Sequence, residues 1–115
     1  MQRETILILG AGGQIGTELT MELRKAHGGA NVVASDIRAA APIVMESGPF
    51  ETIDVSDPKR IAEVMDQYKV TQVYHLVALL SATSERIGVP AWHLNMNSLF
   101  EVMELCVSRG VKKLF

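Results

Sequence analysis

A short apolar run that breaks into three evenly spaced glycines constrains this chain more than any other stretch. Residues 5–16 read Thr-Ile-Leu-Ile-Leu-Gly-Ala-Gly-Gly-Gln-Ile-Gly. The apolar run at residues 6–9 is typical of a parallel strand that is buried on both faces. After it, Ile15, Leu19 and Leu23 recur every four residues, which predicts the apolar face of a helix. The stretch therefore predicts a strand, a glycine-rich turn and a helix in direct succession.

Each of the three glycines has a physical task in a turn of this kind. Gly10 lets the chain leave the strand sharply, and Gly16 lets the helix pack close to the sheet. Gly13 leaves room for a pyrophosphate against the backbone N–H groups of the helix N-terminus, where the partial charge is positive. We predict that this turn, together with Gln14 and Ile15, binds the diphosphate of a dinucleotide. The alternative is a glycine-rich turn that holds no ligand.

An acidic residue after the second apolar segment favours the dinucleotide. Asp36 follows residues 31–35 and lies twenty positions after Gly16. A carboxylate there can accept hydrogen bonds from both hydroxyls of the adenosine ribose. It also repels a 2′-phosphate, which favours NAD over NADP, whereas the nearby Arg38 favours the opposite choice. We predict that Asp36, Ile37 and Arg38 belong to a site for NAD.

Length and composition place the chain among ordinary globular domains. It has 115 residues, of which 48% are apolar and 21% charged, with a net charge of −2. No basic run exceeds the pair Lys112-Lys113, so the charge pattern gives no indication of nucleic acid binding. No apolar run approaches the ~20 residues of a membrane span, so we expect no membrane partner. The single cysteine, Cys106, fits a reducing compartment, and we predict a cytoplasmic protein without a bound metal.

The rest of the chain alternates predicted strands and helices. We predict strands over residues 31–35, 50–53, 72–76 and 111–115, and helices over residues 14–26, from Pro58 to Tyr68, and 90–109. Residues 37–49, which contain two prolines and a glycine, are expected to form an irregular connection. The last helix is expected to bury one stripe, consisting of Asn95, Leu99, Val102, Met103 and Cys106. This alternation predicts one domain over residues 1–115, an α/β doubly wound parallel sheet (Rossmann fold) of order 3-2-1-4-5, with its ligand crevice between strands one and four.

With these motifs in place, the chain resembles the extended short-chain dehydrogenase/reductase family, in its NAD-dependent epimerase/dehydratase branch. The resemblance rests on the glycine turn, on Asp36, on Asp54-Val55 after the third strand, and on Asn95 in the last helix. Within that family it resembles the NAD-dependent L-threonine 3-dehydrogenases, through residues 35–38, 47–50 and 75–82. The resemblance implies oxidation of an amino acid substrate, L-threonine, to 2-amino-3-oxobutanoate, with hydride transfer to NAD in a homo-oligomeric enzyme.

The resemblance also implies roles for individual residues. Asp54 would accept a hydrogen bond from the adenine amino group, and Val55 would contribute its backbone. Ser81 would reach the substrate, and Asn95 would hold a water molecule in the proton relay behind a catalytic lysine. The wall beside the cofactor would be lined by Ala78, Leu79 and Leu80.

The catalytic serine and the Tyr-x-x-x-Lys pair of that family find no match in this sequence. Tyr68 is followed four residues later by Gln72, and Tyr74 by Ala78. We therefore expect an N-terminal piece that stops before the sixth strand and the C-terminal substrate region, that is inactive alone, and that self-associates through its unpaired last strand. Two alternatives stay open: a piece of a nucleotide-sugar epimerase or dehydratase, and a non-catalytic dinucleotide-binding module.

Overall fold

A computed structural model describes residues 4–76 and 89–115, with side chains over residues 4–76 and 99–115. The strands are β1 (Ile6–Leu9), β2 (Val32–Asp36), β3 (Phe50–Thr52), β4 (Gln72–His75) and β5 (Lys113–Leu114). The helices are α1 (Gln14–His27), α2 (Pro42–Ser47), α3 (Pro58–Tyr68) and α4 (Val89–Ser108). A 3-10 turn, Gly29–Asn31, leads into β2.

The five strands form one parallel sheet in the order β3-β2-β1-β4-β5. At the centre, Leu9 is in register with Ser35 of β2 on one side and with His75 of β4 on the other. After β1, the strands β2 and β3 add to one side of it, and β4 and β5 then add to its other side. The strand order therefore reverses between β1 and β4, which is where doubly wound sheets bind ligands. The predicted fold class and strand order are confirmed.

The two faces of the sheet carry two separate apolar cores. Leu7 and Leu9 point into one core with residues of α3 and α4, whereas Ile6 and Ile8 point into the other with residues of α1 and α2. All four side chains of β1 are 0% exposed. Complete burial of each such side chain stabilises the fold by about 1.5–3 kcal/mol relative to exposure. Burial on both faces is why β1 is a continuous apolar run rather than an alternating one.

The prediction of an irregular connection over residues 37–49 is wrong, because part of it forms α2. Pro42 occupies the first turn of this helix, where its missing N–H would have no helical partner. Within α2 only Val44 is buried, and it packs into the core on the α1 side of the sheet. A helix of six residues with a single buried side chain cannot display a helical period in the sequence.

Two helices bury their predicted faces only in part. In α1, Leu19 and Leu23 pack against the core as predicted, but Ile15 is 51% exposed, and the buried positions are Gly16, Thr20 and Arg24. Because Gly16 has no side chain, the backbone of α1 lies close to the sheet on this side, and the helix face around Gly16 is the one that contacts the sheet. In α4 the predicted Val102 and Cys106 are buried, but Met103 is 44% exposed. Because α4 also contacts α3, Leu105 packs against the core shared with α3 in place of Met103.

Candidate cofactor site

The turn that follows β1 is shaped by backbone hydrogen bonds to the end of β2. Gly10 has a φ of 93°, a left-handed conformation that side chains other than glycine rarely adopt. The N–H groups of Gly10 and Ala11 both donate to the carbonyl oxygen of Ser35, at 3.0 and 2.8 Å. The hydroxyl of Ser35 in turn donates to the carbonyl of Ile8 at 2.7 Å. These bonds fix the path of the chain from β1 into α1 beside the end of β2.

Gly16 lies where α1 meets this turn. A Cβ atom on Gly16 would lie 2.7 Å from backbone atoms of Ala11, which is closer than real Cβ contacts allow. A side chain here would push the helix off the sheet. The glycine is therefore explained by the packing of the protein itself.

Gly13 has no such internal explanation. It is the N-cap of α1 and has extended backbone angles, with φ −81° and ψ −179°. A Cβ atom on Gly13 would meet nothing within 4 Å. No side chain caps this helix N-terminus, and its first turn contains no acidic residue. The N–H groups of the first turn have no partner inside the helix and give this helix end a partial positive charge. The space in front of them is open.

Asp36 stands beside this turn at the end of β2. Its Oδ2 accepts a hydrogen bond from the N–H of Gly12 at 2.8 Å, and its Oδ1 accepts one from the N–H of Ile37 at 2.7 Å. The side chains of Ile37 and Arg38 are exposed next to it. Gly12 was not singled out from the sequence, although the pair Gly12-Gly13 was the available signal. The structure thus brings the glycine turn and Asp36 together.

Asp54 lies at the same edge of the sheet. Asp36 is in register with Thr52 of β3, and the N–H of Ile53 donates to the carbonyl of Asp36 at 3.0 Å. The Oδ1 of Asp54 accepts hydrogen bonds from both the N–H and the hydroxyl of Ser56, at 2.9 and 2.7 Å. These bonds lower the pKa of Asp54. Its carboxylate closes a local turn in this structure, and contact with adenine stays a prediction.

Several predicted site residues lie outside the part of the chain that the structure describes. These are Ala78, Leu79, Leu80 and Ser81, which follow the last described residue of the β4 segment. Asn95 is within α4, but its side chain is not among those described. At the end of β4, His75 is only 4% exposed, and this burial lowers its pKa.

Two general features of the described residues bear on function. Over residues 4–76 and 89–115, no helix combines the length and the apolar character needed to cross a membrane. Among the side chains of residues 4–76 and 99–115, no three of His, Cys, Asp or Glu lie together in a group able to hold a metal ion.

Comparison with known proteins identifies the family. The family model described as the NAD-dependent epimerase/dehydratase family matches residues 6–115. The chain belongs to this family. The resemblance inferred from the glycine turn and Asp36 is therefore confirmed, and NAD is the cofactor for which the family is named.

Individual relatives agree with this assignment. An uncharacterized epimerase/dehydratase of Staphylococcus saprophyticus is 44% identical over 101 residues, which are 87% of this chain and 32% of that protein. The crystal structure of L-threonine dehydrogenase from Clostridium difficile is 43% identical with a TM-score of 0.84, over 98% of this chain and 36% of that one. UDP-glucose 4-epimerase of Thermotoga maritima shares the fold, with a TM-score of 0.76 at 22% identity, over 96% and 36% of the two chains. The chain spans about a third of the length of these proteins.

Proposed function

We propose that this chain is the NAD-binding part of an oxidoreductase of the L-threonine 3-dehydrogenase type. The observation that supports the cofactor role best is the open space at Gly13. The fold does not require glycine there, since φ is ordinary and a Cβ would touch nothing. A ligand that lies against the backbone does require it. A diphosphate is suited to this space because the helix N-terminus beside it is uncapped.

Different groups around this space would bind the diphosphate, the adenosine ribose and the adenine of NAD. The N–H groups of the turn, with those of Gln14 and Ile15, would bind the diphosphate. Asp36 would accept hydrogen bonds from the adenosine ribose hydroxyls. The adenine would lie between two segments at the edge of the sheet, which are Ile37-Arg38 and Asp54-Val55. When NAD is bound, its nicotinamide supplies the acceptor for the hydride.

Residues outside the described part of the chain would bind the other half of NAD and the substrate. The loop after β4, with Ala78, Leu79 and Leu80, would lie beside the nicotinamide half, because β4 is the strand across the switch point from β2. Ser81 would then reach the amino acid substrate, and Asn95 would support the proton relay.

We propose that the chain alone binds NAD without oxidising L-threonine. Neither tyrosine is followed by lysine at the fourth position. The Tyr68 hydroxyl donates to Oε2 of Glu51 at 2.5 Å, and this contact raises the pKa of Tyr68 to about 12. A general base must lose its proton far more readily than that at neutral pH. Tyr74 stacks on Phe115 with ring centres 4.6 Å apart. A cytoplasmic location and a homo-oligomeric state of the whole enzyme belong to the same proposal.

The choice of threonine over a nucleotide sugar is supported by the degree of similarity. This chain is 43% identical to the L-threonine dehydrogenase of Clostridium difficile but 22% identical to the epimerase of Thermotoga maritima, a level that supports the fold alone. Two chimeras test the choice, in which this chain replaces the corresponding third of either enzyme. We expect L-threonine-dependent NAD reduction from the first chimera and no epimerase activity from the second. Activity of the epimerase chimera alone would contradict the proposal.

A further inference from the structure

Gly12 is a glycine that the backbone does not require. In the described part of the chain, positive φ angles among glycines occur at Gly10, Gly28 and Gly110, and Gly12 is not among them. A Cβ on Gly12 would nevertheless lie 2.6 Å from Oδ2 of Asp36 and 3.1 Å from its carboxylate carbon. A side chain at position 12 would therefore require the carboxylate of Asp36 to move from its place.

The same two residues are joined by a hydrogen bond. The N–H of Gly12 donates to Oδ2 of Asp36 at 2.8 Å, while the N–H of Ile37 donates to Oδ1 at 2.7 Å. One donor comes from the turn after β1 and the other from the end of β2, so each carboxylate oxygen is held from a different segment. Hydrogen bonds to an ionised acceptor are stronger than bonds between neutral groups. Gly12 thus fixes the orientation of Asp36 as well as leaving room for it.

We infer that Gly12 is a positioning residue that, by holding the Asp36 carboxylate in place, sets the preference of the site for NAD over NADP. This inference rests on the proposed cofactor role of Asp36. A carboxylate held in one place accepts hydrogen bonds from two ribose hydroxyls and repels a 2′-phosphate. A carboxylate displaced by a methyl group at position 12 would bind the ribose hydroxyls more weakly and would repel a 2′-phosphate less. The N–H of residue 12, once released, also becomes a donor that a phosphate can use.

The test is calorimetric titration of the 115-residue chain with NAD and, separately, with NADP. The variants are wild type, G12A, D36A and the double variant. We expect G12A to lower NAD affinity roughly tenfold, which corresponds to the loss of one hydrogen bond to a charged group, and to lower NADP affinity less. The ratio of the two affinities therefore falls. In the D36A background, G12A should leave that ratio unchanged, because Gly12 acts through the carboxylate.

The matched control is G13A, the same change one residue further along. Its Cβ touches no protein atom and obstructs the diphosphate that both dinucleotides share, so both affinities should fall by the same factor. The inference is overturned if G12A leaves the ratio unchanged, or changes it equally with and without Asp36; the cofactor site would then still stand. If a folded wild-type chain bound neither dinucleotide, the proposed function would fail and this inference with it.

A second variant covers the case in which G12A does not fold. D36E keeps the charge but places the carboxylate one methylene further from the β2 backbone, so the two hydrogen bonds from Gly12 and Ile37 cannot both be kept in the same geometry. We expect D36E to lower the ratio of NAD to NADP affinity while Gly12 is intact. An unchanged ratio in D36E would overturn the inference, because the position of the carboxylate would then be irrelevant.

Discussion

At the scale of single residues, Arg24 shows how a buried charge can join three segments. It is 5% exposed, and its guanidinium donates to the carbonyls of Val32, Val44 and Pro49 and to the hydroxyl of Ser47. These groups belong to β2, to α2 and to the approach to β3. The segment 47–50, which suggested threonine dehydrogenases from the sequence, is thus held in place from α1 by one side chain.

Replacing Arg24 by methionine should destabilise the chain by about 3 kcal/mol, because the carbonyls of Val32, Val44 and Pro49 each lose a hydrogen bond from a charged donor. Urea denaturation of R24M against wild type measures this change in the free energy of unfolding. The matched control is R109M, since Arg109 pairs at 2.9 Å with an Asp66 side chain that is 64% exposed. An exposed ion pair of that kind contributes at most about 1 kcal/mol. A loss in R24M no greater than in R109M would contradict the role assigned to Arg24.

His75 gives the stability a pH dependence of known sign. Burial lowers its pKa from the ordinary value of 6.5, so the unfolded chain binds a proton more readily than the folded one. Its contribution to stability is present above pH 6.5 and is lost as the pH falls from 6.5 through the lower pKa of the folded state. Chemical denaturation at a series of pH values should show this loss in wild type and a smaller loss in H75N. H27N, which changes an exposed histidine, should behave as wild type.

At the scale of elements, α3 shows which structure can be predicted from local chemistry. An aspartate before a proline is a local pattern for a helix start, and Oδ1 of Asp57 accepts a hydrogen bond from the N–H of Arg60 at 3.3 Å. Ile61, Val64 and Met65, at positions i, i+3 and i+4 of the helix, are all buried. We expect D57A to lose about 1 kcal/mol of stability in thermal or urea unfolding and D57N to lose little, since asparagine caps as well as aspartate. Equal losses in both variants would contradict capping by Asp57.

The edge strand β3 is tied to α3 through Glu51. Oε1 of Glu51 accepts from Arg60 at 2.8 Å, and Oε2 accepts from the hydroxyl of Tyr68. Because the pKa of Tyr68 is raised to about 12, its stabilising contribution is present below pH 10 and is lost as the pH rises from 10 toward 12. Spectroscopic titration of the phenols should show an ionisation near pH 12 in wild type that Y68F lacks. Identical phenol titrations of wild type and Y68F near pH 12 would contradict the contact.

Some elements leave a pattern in the sequence and others do not. The succession of β1, glycine turn and α1 could be predicted because strand, turn and helix each leave a local pattern. The helix α2 could not, because Val44 is its single buried residue. The bond from Gly12 to Asp36 spans 24 positions and depends on how two strand ends approach each other. Contacts of that kind are set by tertiary packing, which no spacing of residue types records.

At the scale of the whole molecule, β3 and β5 form the two edges of the sheet. At the β3 edge, the Nε of Arg60 donates to the carbonyl of Thr52 at 3.3 Å. At the β5 edge, the N–H groups of Lys113 and Phe115 donate toward β4, so in a parallel strand the N–H of Leu114 points outward. An outward row of backbone groups is a template for pairing with another chain.

The expected self-association should therefore depend on the N–H of Leu114. Proline at this position removes the outward donor and leaves the bonds to β4 in place. Sedimentation velocity should show wild type and L114A associating with increasing concentration, and L114P associating less. L114A controls for the loss of the side chain, which packs partly against the core. A wild-type chain that stays monomeric at all concentrations would contradict pairing through β5.

The most direct test of the cofactor site is the binding of NAD to wild type and to G13A, measured by calorimetry with thermal unfolding in parallel. We expect saturable binding by wild type and an affinity at least about tenfold lower in G13A, or ~1.4 kcal/mol. The free energy of unfolding should fall by no more than about 1 kcal/mol in G13A, because its Cβ touches no protein atom and alanine is only a weaker N-cap than glycine. Equal NAD binding by the two folded proteins would contradict the placement of the diphosphate at this helix N-terminus.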